Sequence, residues 1–388
     1  SFQQFAFGCM TRSKKVTYEN LRLRDSSFTD KVLEEFNDNC NVNIKNQSAA
    51  FSKFKLRELE LPNRIVMAPM GQYSATDGLV SDWHLVHYGS RATGGVGLII
   101  AEMTAISETG RITEGCAGIY NAEQLNQWKK ITDFIHNNTE TKIGIQLGHS
   151  GRKGATKKPW EGNGPMETPW NLISASPIPF NENFSIPKEM TLEDMEEIKA
   201  QFVQATKNAD EAGFDMIELQ THHGFLLASF LSPLTNIRTD EFGGSIENRL
   251  KYPLEVFKAI REVFPTKKPI SVRISATDWA ENGISEQEVI TIASAFINAG
   301  ADIINVSTGN TVAGQKPLTG RMWQTPFSDA VRNAVHIPTI TAGYIQDIDQ
   351  INTILLNGRA DLVALGRPLL LDANFVRNAQ AYEQFQAN

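Results

Sequence analysis

Cysteine is scarce: Cys9, Cys40 and Cys116 are the only three in a chain of 388 residues. They are far apart, odd in number and form no Cys-x-x-Cys pair, so neither a disulfide scaffold nor a zinc or iron–sulfur site is indicated. That usage fits a reducing, cytoplasmic setting. Long apolar runs are also missing. Nothing approaches the ~20 residues needed to span a bilayer, and no apolar signal core follows the N-terminus, so no membrane partner is expected. Basic residues are outnumbered, 37 against 44 acidic, giving a net charge of −7 and a pI near 5.6. With no long basic run, this balance argues against a nucleic-acid surface. No Gly-x-Gly-x-x-Gly follows an apolar strand, so a resident dinucleotide domain is not expected. What remains, 41% hydrophobic and 21% charged, is ordinary globular material. The length allows one large domain or two to three smaller ones.

What is present is a repeating alternation. Short apolar, β-branched runs recur between helix-length amphipathic segments. They read as strands over Arg64–Met70, Val96–Met103, Lys142–His149, Met216–Thr221, Pro269–Ser275, Ile303–Thr308, Pro338–Gly343 and Leu362–Arg367. Helix starts are marked between them. Thr191 is followed three residues on by Asp194, with Gly213 as the stop; Ser285 and Glu288 repeat the pattern, with Gly300 at the end. Eight successive β-then-α units predict an α/β fold of the (β/α)8 TIM barrel type, ~250 residues plus insertions. A doubly wound sheet is the alternative and would not need eight. Residues 1–50 read as an N-terminal segment and 51–388 as the barrel. The longest insertion, Gly154–Lys188, follows the third strand and is either a lid or a structural cover.

In such barrels chemistry sits at the carboxyl ends of the strands. The stretch "IELQTHHGFLLASFLSP" places Gln220, Thr221, His222 and His223 there, four polar side chains that are costly to bury without partners. The last two strands end in Gly343 and in Gly366-Arg367. These suit a phosphate, approached by backbone N–H groups and clamped by a guanidinium, or they are two tight turns and a surface arginine. Arg273 lies in the apolar alternation "ISVRISA". Pointing into a barrel, it needs an anion or an electron-rich acceptor, or else a carboxylate such as Glu102 or Glu218. Gln146 offers donors and an acceptor to the edge of a heteroaromatic ring, or ties two strands together. Taken together these pieces suggest a flat, phosphorylated, redox-active ring, flavin mononucleotide (FMN).

The runs "RIVMAPMGQY", "GLIIAEMTAIS", "GIQLGHSGRK", "FLSPLTNIRTDEFGGSIENR", "VRISATDW" and "GRADLVALGRPLL", in that order, resemble the Old Yellow Enzyme family of FMN-dependent ene-reductases, and most of all its shorter, bacterial-type branch. The resemblance covers roughly Phe51 to Phe375. It implies a barrel, bound FMN, and NADH or NADPH as transient reductant of an activated alkene. Position by position it puts Ala68, Pro69, Met70, Gly71, Met103, Gln146 and Arg273 at the flavin ring, and Gly343, Gly366 and Arg367 at the phosphate. Tyr73 matches a substrate-side tyrosine. Gln220 and His223 match the pair that holds the substrate carbonyl.

The chain departs from the pattern at three places. Gln220 replaces the first member of the carbonyl pair, Phe225 stands where the family has its proton-donating tyrosine, and Gly71 sits where many of the branch have a cysteine. Gln220 is expected to donate through its amide nitrogen and His223 through a ring N–H. The missing proton then falls to His222, Tyr73 or water, unless His222 is a packed helix-start residue.

A second, shorter resemblance joins "KKVTYENLRLRDSSFTDKV", "WEGNGPMETPWNLISASPIPF" and "TGRMWQTPFSDAVRN" to bifunctional aroyl-CoA enzymes of the anthraniloyl-CoA monooxygenase/reductase and salicylyl-CoA hydroxylase kind. It implies an acyl-CoA substrate and a fused upstream monooxygenase domain, of which the first residues are a remnant. The start with Ser rather than Met fits a fragment or a processed product. Arg152, Lys153, Lys157 and Lys158 then either meet phosphates of such a substrate or form a solvated loop. His84 and His87 read as packing residues rather than metal ligands. A homo-oligomer is expected. A flavin-binding partner module with weak chemistry is the competing function; an aldolase- or metal-type barrel lacks its lysine or carboxylate cluster.

Overall fold

The computed structural model describes residues 17–44 and 48–387. Eight parallel strands close into a barrel: β1 (Ile65–Met67), β2 (Leu98–Ala105), β3 (Lys142–Gly148), β4 (Met216–Thr221), β5 (Ile270–Ser275), β6 (Ile303–Ser307), β7 (Thr339–Thr341) and β8 (Leu362–Leu365). Each pairs with the next, and β8 returns to β1 through Ala364 opposite Val66. The helices α1 (Asp82–Thr93), α2 (Ala122–Asn138), α3 (Leu192–Glu211), α4 (Ile246–Val263), α5 (Glu286–Asn298), α6 (Thr325–Val335), α7 (Ile348–Leu356) and α8 (Phe375–Ala387) follow the strands in order. This is the (β/α)8 barrel that the alternation implied.

The caps behave as their chemistry requires. Thr191 and Asp194 bond reciprocally, at 2.8 and 3.2 Å, and Ser285 and Glu288 do the same at 2.9 and 3.3 Å. β1 and β7 are shorter than the apolar runs suggested. They end at Met67 and Thr341, and the residues that follow, Ala68 to Met70 and Ala342 with Gly343, line a cavity. β2 carries a bulge between Ala101 and Met103, which re-aims the intervening Glu102.

The amino end of the barrel is plugged. An antiparallel hairpin, Phe54–Leu56 with Leu59–Leu61, joins an apolar cluster with the inward residues Val66, Leu98, Ile100, Met216, Ile303, Ile340 and Leu362. A second, larger cluster lies between the strands and their helices, with Trp128, Phe202, Phe214 and Phe257 fully buried. The short helices Tyr18–Arg24 and Ser26–Cys40 lie against α7 and this end of the barrel. Tyr18 N donates to Thr353 Oγ1 (3.2 Å) and Glu19 N to Asp349 Oδ1 (2.9 Å). The buried Arg64 guanidinium lies 5.0 Å from the Phe36 ring and 4.9 Å from that of Phe54, so a cation–π contact joins helix and hairpin. Cys9 and much of the expected N-terminal segment fall outside the described residues. No helix among the described residues is long and apolar enough to cross a membrane.

The first and last units meet at Gly94, where α1 ends. A Cβ there would overlap the carbonyl oxygen of Ala373, just ahead of α8, and Gly94 O accepts from Arg377 N at 3.0 Å. Backbone cannot swing aside as a side chain can, so Gly94→Ala is expected to cost about 1–3 kcal/mol by overpacking. Thermal unfolding followed by circular dichroism should show a midpoint lower by roughly 1–4 °C. An unchanged midpoint would mean that this seam is looser than the geometry indicates.

Candidate active site

The open, carboxyl end of the barrel is polar where the plugged end is apolar. Gln146, Glu218, Ser271 and Asn305 point inward from β3 to β6. Glu218 has no solvent contact, yet its carboxylate accepts from Gln146 Nε2 at 2.7 Å, Ser271 Oγ at 3.0 Å and Asn305 Nδ2 at 2.8 Å. Three donors offset the desolvation of the carboxylate. Two residues further along their strands, Gln220, Arg273 and Ser307 form the next tier. Gln220 Nε2 donates to Gln146 Oε1 at 3.3 Å, and Gln220 Oε1 is buried without a partner. The amide nitrogen expected to serve a substrate is therefore turned to a neighbouring glutamine.

Above this tier lies a cavity of about 770 Å³, a size suited to a drug-sized or cofactor-sized ligand. Ala68, Pro69, Met70, His223, Arg273, Gly343, Gly366 and Arg367 line it. Gly71, Tyr73, Met103, Gln146 and Gln220 do not. Gln146 and Gln220 sit in the tiers below, Met103 is buried in β2, and Gly71 and Tyr73 follow the end of β1, with the Tyr73 ring folded over Gly71.

Arg273 is 9% exposed and, among the described residues, has no carboxylate within ion-pair distance. Its Nε is buried and unpartnered. Burial lowers its pKa, and Glu218 pulls the other way. An unpaired guanidinium at the wall of a cavity is a built anion or electron-rich acceptor site. Gly343, at φ +102°, brings its backbone close to the Trp323 ring and Gln324. Arg367 is exposed, with its guanidinium 4.2 Å from the Tyr344 ring centroid. Cavity size, the orphaned Arg273 and the glycine–arginine end together fit FMN. The electron-rich edge of its ring would meet Arg273, and its phosphate would meet Arg367 and the backbone at Gly343 and Gly366.

His223 adopts a left-handed backbone, φ +57°, which lets its amide donate to Ser275 Oγ (2.9 Å) while its Nε2 lies 2.7 Å from Ser307 Oγ. His222 packs against it with ring centroids 4.1 Å apart. Both imidazoles are held well below their ordinary pKa by burial, with Arg273 and Lys153 adding repulsion. They are neutral at pH 7. Burial pushes the Tyr73 hydroxyl up to about 12.

Lys153 holds this corner together. Its ammonium donates to His223 O at 2.8 Å and Asn310 O at 2.7 Å, and it lies 4.6 Å from the Phe180 ring centroid and 4.8 Å from that of Phe225. Burial, then Arg152, pushes its pKa down to about 7. Arg152 donates to Ile178 O, Pro179 O and Thr311 O. Arg152 and Lys153 are thus structural ties, whereas Lys157 and Lys158 pair at the surface with Glu167 and Glu161. The four cations do not form one phosphate loop. The insertion after β3 is tied down as well: Arg238 Nη1 holds Ala175 O and Met190 O, and Ala175 N donates to Ser229 Oγ.

Sequence reasoning missed Asn310, Trp323, Gln324, Tyr344 and Gln346, all at the cavity wall. They lie in the loops after β6 and β7, and only the polar-aromatic content of those loops hints at them. His84 and His87 are packing residues, their pKa values lowered by burial to about 4 and about 3. No cluster able to hold a metal occurs among the described residues.

Residues 50–385 match the NADH:flavin oxidoreductase / NADH oxidase family. The NADPH dehydrogenase of Listeria monocytogenes is 41% identical over 334 residues, 86% of this chain and 94% of that protein. The NADPH dehydrogenase of Clostridium acetobutylicum is 40% identical over 328 residues, 84% and 93% of the two chains. Among solved structures, morphinone reductase superimposes with a TM-score of 0.73 at 26% identity, over 88% of this chain and 91% of that one. A 2-naphthoyl-CoA reductase, solved with 2-naphthoyl-CoA, gives 0.76 at 26% identity over 85% of this chain. The match spans only 52% of that longer protein.

Beside the site, Glu102 accepts from Tyr88 OH at 2.9 Å and Gln72 N at 2.8 Å, fixing the loop that carries Tyr73. His84 Nδ1 accepts from Ser81 N, so its ring proton is on Nε2, 3.5 Å from Glu102 Oε1. Burial outweighs these hydrogen bonds and raises the Glu102 pKa from 4.5 to about 7. The folded chain therefore binds this proton more tightly than the unfolded chain. Its stabilising contribution is complete below pH 4.5 and is lost as pH rises through about 7. Glu102→Gln removes that dependence. Denaturant titrations should show the variant gaining on the parent between pH 4.5 and 7, by on the order of 3 kcal/mol. A difference that stays flat with pH would show that Glu102 is ionised throughout.

Proposed function

We propose that this chain, which belongs to the NADH:flavin oxidoreductase / NADH oxidase family, reduces an activated alkene or a dearomatised carbonyl compound. Membership makes it an NAD(P)H-dependent flavin oxidoreductase with FMN as its cofactor. The single observation that carries the site assignment is Arg273, a buried charge facing the cavity with no carboxylate of its own. When bound, FMN supplies the two-electron relay between nicotinamide and alkene. Over the whole cycle the β-carbon gains a hydride, the α-carbon gains a proton, and NADPH or NADH becomes oxidised.

The chain's own residues bind and orient. With FMN bound, Arg273 would meet the electron-rich edge of its ring and Ala68, Pro69 and Met70 would bound it from the cavity wall, with Gln146 in a tier below and Gly71 and Met103 outside the cavity lining. Gly343, Gly366 and Arg367 would hold its phosphate. His223, neutral and fixed by Ser307 and Ser275, receives the substrate carbonyl, where negative charge develops as the β-carbon is reduced. Gln220 stands in the tier beneath this end and Tyr73 in the loop after β1, on the substrate side and outside the cavity lining. Phe225 carries no acidic hydrogen, so the α-carbon proton comes from the Tyr73 hydroxyl or from water. An aroyl-CoA-derived enone suits the reading, because a 2-naphthoyl-CoA reductase shares the fold.

A second reading is a flavin module whose electrons leave to oxygen or to a partner domain; Phe225 and the occupied Gln220 nitrogen favour it. Restoring Gln220→His with Phe225→Tyr separates the two. A large gain on a simple enone means a degenerate native site, and no gain alongside native enone-dependent turnover means a specialised one.

The purified chain should be yellow, bleach under anaerobic NADPH or NADH, and recover its colour on adding an enone. Arg273→Leu should weaken FMN retention at least tenfold, read by dialysis and absorbance. A colourless chain that takes up no FMN would end the proposal.

A further inference from the structure

We infer that Lys153 is a positioning residue for the substrate site: its ammonium holds two cavity-wall residues, His223 and Asn310, in left-handed backbone conformations, so that the charge on Lys153 sets the affinity for a carbonyl ligand. The inference rests on the flavin-reductase reading above and deepens it.

Three of the non-glycine residues that line the cavity have left-handed backbones: His223 at φ +57°, Asn310 at +61° and Tyr344 at +61°. An L-residue holds this conformation at a cost and keeps it only where its surroundings fix it. The first two are fixed by one group. His223 O accepts from Lys153 Nζ at 2.8 Å, and Asn310 O accepts from the same nitrogen at 2.7 Å. Among the described residues no other donor bonds to either oxygen. The loops that carry them meet backbone to backbone, since a Cβ on Gly224 would overlap Thr311 Cα. A single cation therefore joins the loop after β4 to the loop after β6 at the cavity wall.

The arm that carries this cation is anchored independently. Lys153 ends the short turn Gly151–Lys153 after β3. Arg152 Nη1 donates to Ile178 O at 3.2 Å and Pro179 O at 3.0 Å, and its Nη2 donates to Thr311 O. A Cβ on Gly151 would overlap the Leu226 backbone. Removing the Lys153 charge thus leaves the turn tied and weakens the grip on the two wall carbonyls, because a charge-assisted bond is roughly twice as strong as a neutral one. The faces of Phe180 and Phe225 flank the ammonium, and no carboxylate acts on it. With its pKa pushed down to about 7, it loses its proton across the neutral range. The groups around it do not change there. His222 and His223 are already neutral, and the guanidinium groups of Arg152 and Arg273 stay charged. Carbonyl affinity is therefore complete below about 7 and falls as pH rises through it.

The test measures dissociation constants of cyclohex-2-en-1-one for the flavin-loaded chain without nicotinamide, from about pH 6 to about pH 8.5, by perturbation of the flavin absorbance. The native chain should lose about tenfold in affinity over that range, the size of one charge-assisted bond weakened. Lys153→Met, similar in length but uncharged, should bind weakly at every pH. Lys153→Arg, charged throughout, should match the native chain at the acid end and show no slope. Glu102 also titrates near 7 and is present in all three chains, so a slope that persists in Lys153→Arg belongs to it and overturns the inference. A flat native profile overturns it too, as does no measurable binding. FMN retention should be equal in the three chains; loss of FMN from Lys153→Met would make Lys153 a general structural tie and overturn the positioning role. The native profile decides the matter even where a variant fails to fold. A chain that takes up FMN and gives a flat profile overturns this inference alone; a chain that takes up none overturns the flavin reading beneath it.

Discussion

A carboxylate with no route to water, Glu218, sets the polarity of the barrel's working end. Its burial is tolerated because β3, β5 and β6 each send it a donor. Those bonds have consequences two residues higher. Once Gln146 is committed downward, Gln220 is committed sideways, and Arg273 feels Glu218 only through space, without an ion pair among the described residues. The carboxylate collects three donors in its own tier, while Gln220 Oε1 and Arg273 Nε in the tier above are left without partners. Of these, the Arg273 Nε belongs to a side chain on the cavity wall, where a ligand can complete it.

The two ends of the barrel express opposite solutions to one packing problem. At the amino end, Leu56, Leu59 and Leu61 extend the inward-facing apolar layer and exclude water. At the carboxyl end the inward positions pass from Glu218 and Asn305 to Arg273 and Ser307, and then to the open cavity. Rigidity at the first end serves geometry at the second. Side chains held on paired strands keep their spacing better than side chains on loops. His223, which reaches the cavity wall from a loop, is pinned by strand residues: Ser275 from β5 and Ser307 from β6.

Much of this was legible in the sequence. The eight apolar runs, the Thr191 and Ser285 caps, and a lone arginine inside an alternating strand each carry a local physical signature, and the structure keeps all of them. The hairpin at the plugged end was not foreseen, since two three-residue strands are too short to show a period. The polarity of Gln220 was unreadable, because it depends on which atom of Gln146 faces Glu218, a contact 72 residues distant in sequence. Lys153 looked like one member of a basic loop. Its real neighbours, His223, Asn310, Phe180 and Phe225, come from three separate segments.

Those neighbours also bear on why a phenylalanine is accommodated at position 225. The Lys153 ammonium lies over its ring face, and Lys153 simultaneously holds His223 O, so the ring shields a cation that fixes the carbonyl-binding residue. Burial, with repulsion from Arg273 and Lys153 added, keeps His222 and His223 unprotonated. The corner thus carries its positive charge on Arg273, and on Lys153 while that amine is protonated, and leaves the imidazoles neutral. In the proposed reaction, charge gathering on a substrate oxygen meets a neutral N–H backed by nearby positive charge, with no proton needing to move as that charge forms. Stabilising the oxygen and protonating the carbon become separate tasks here. That separation allows the second to pass from a fixed tyrosine to another donor without dismantling the first.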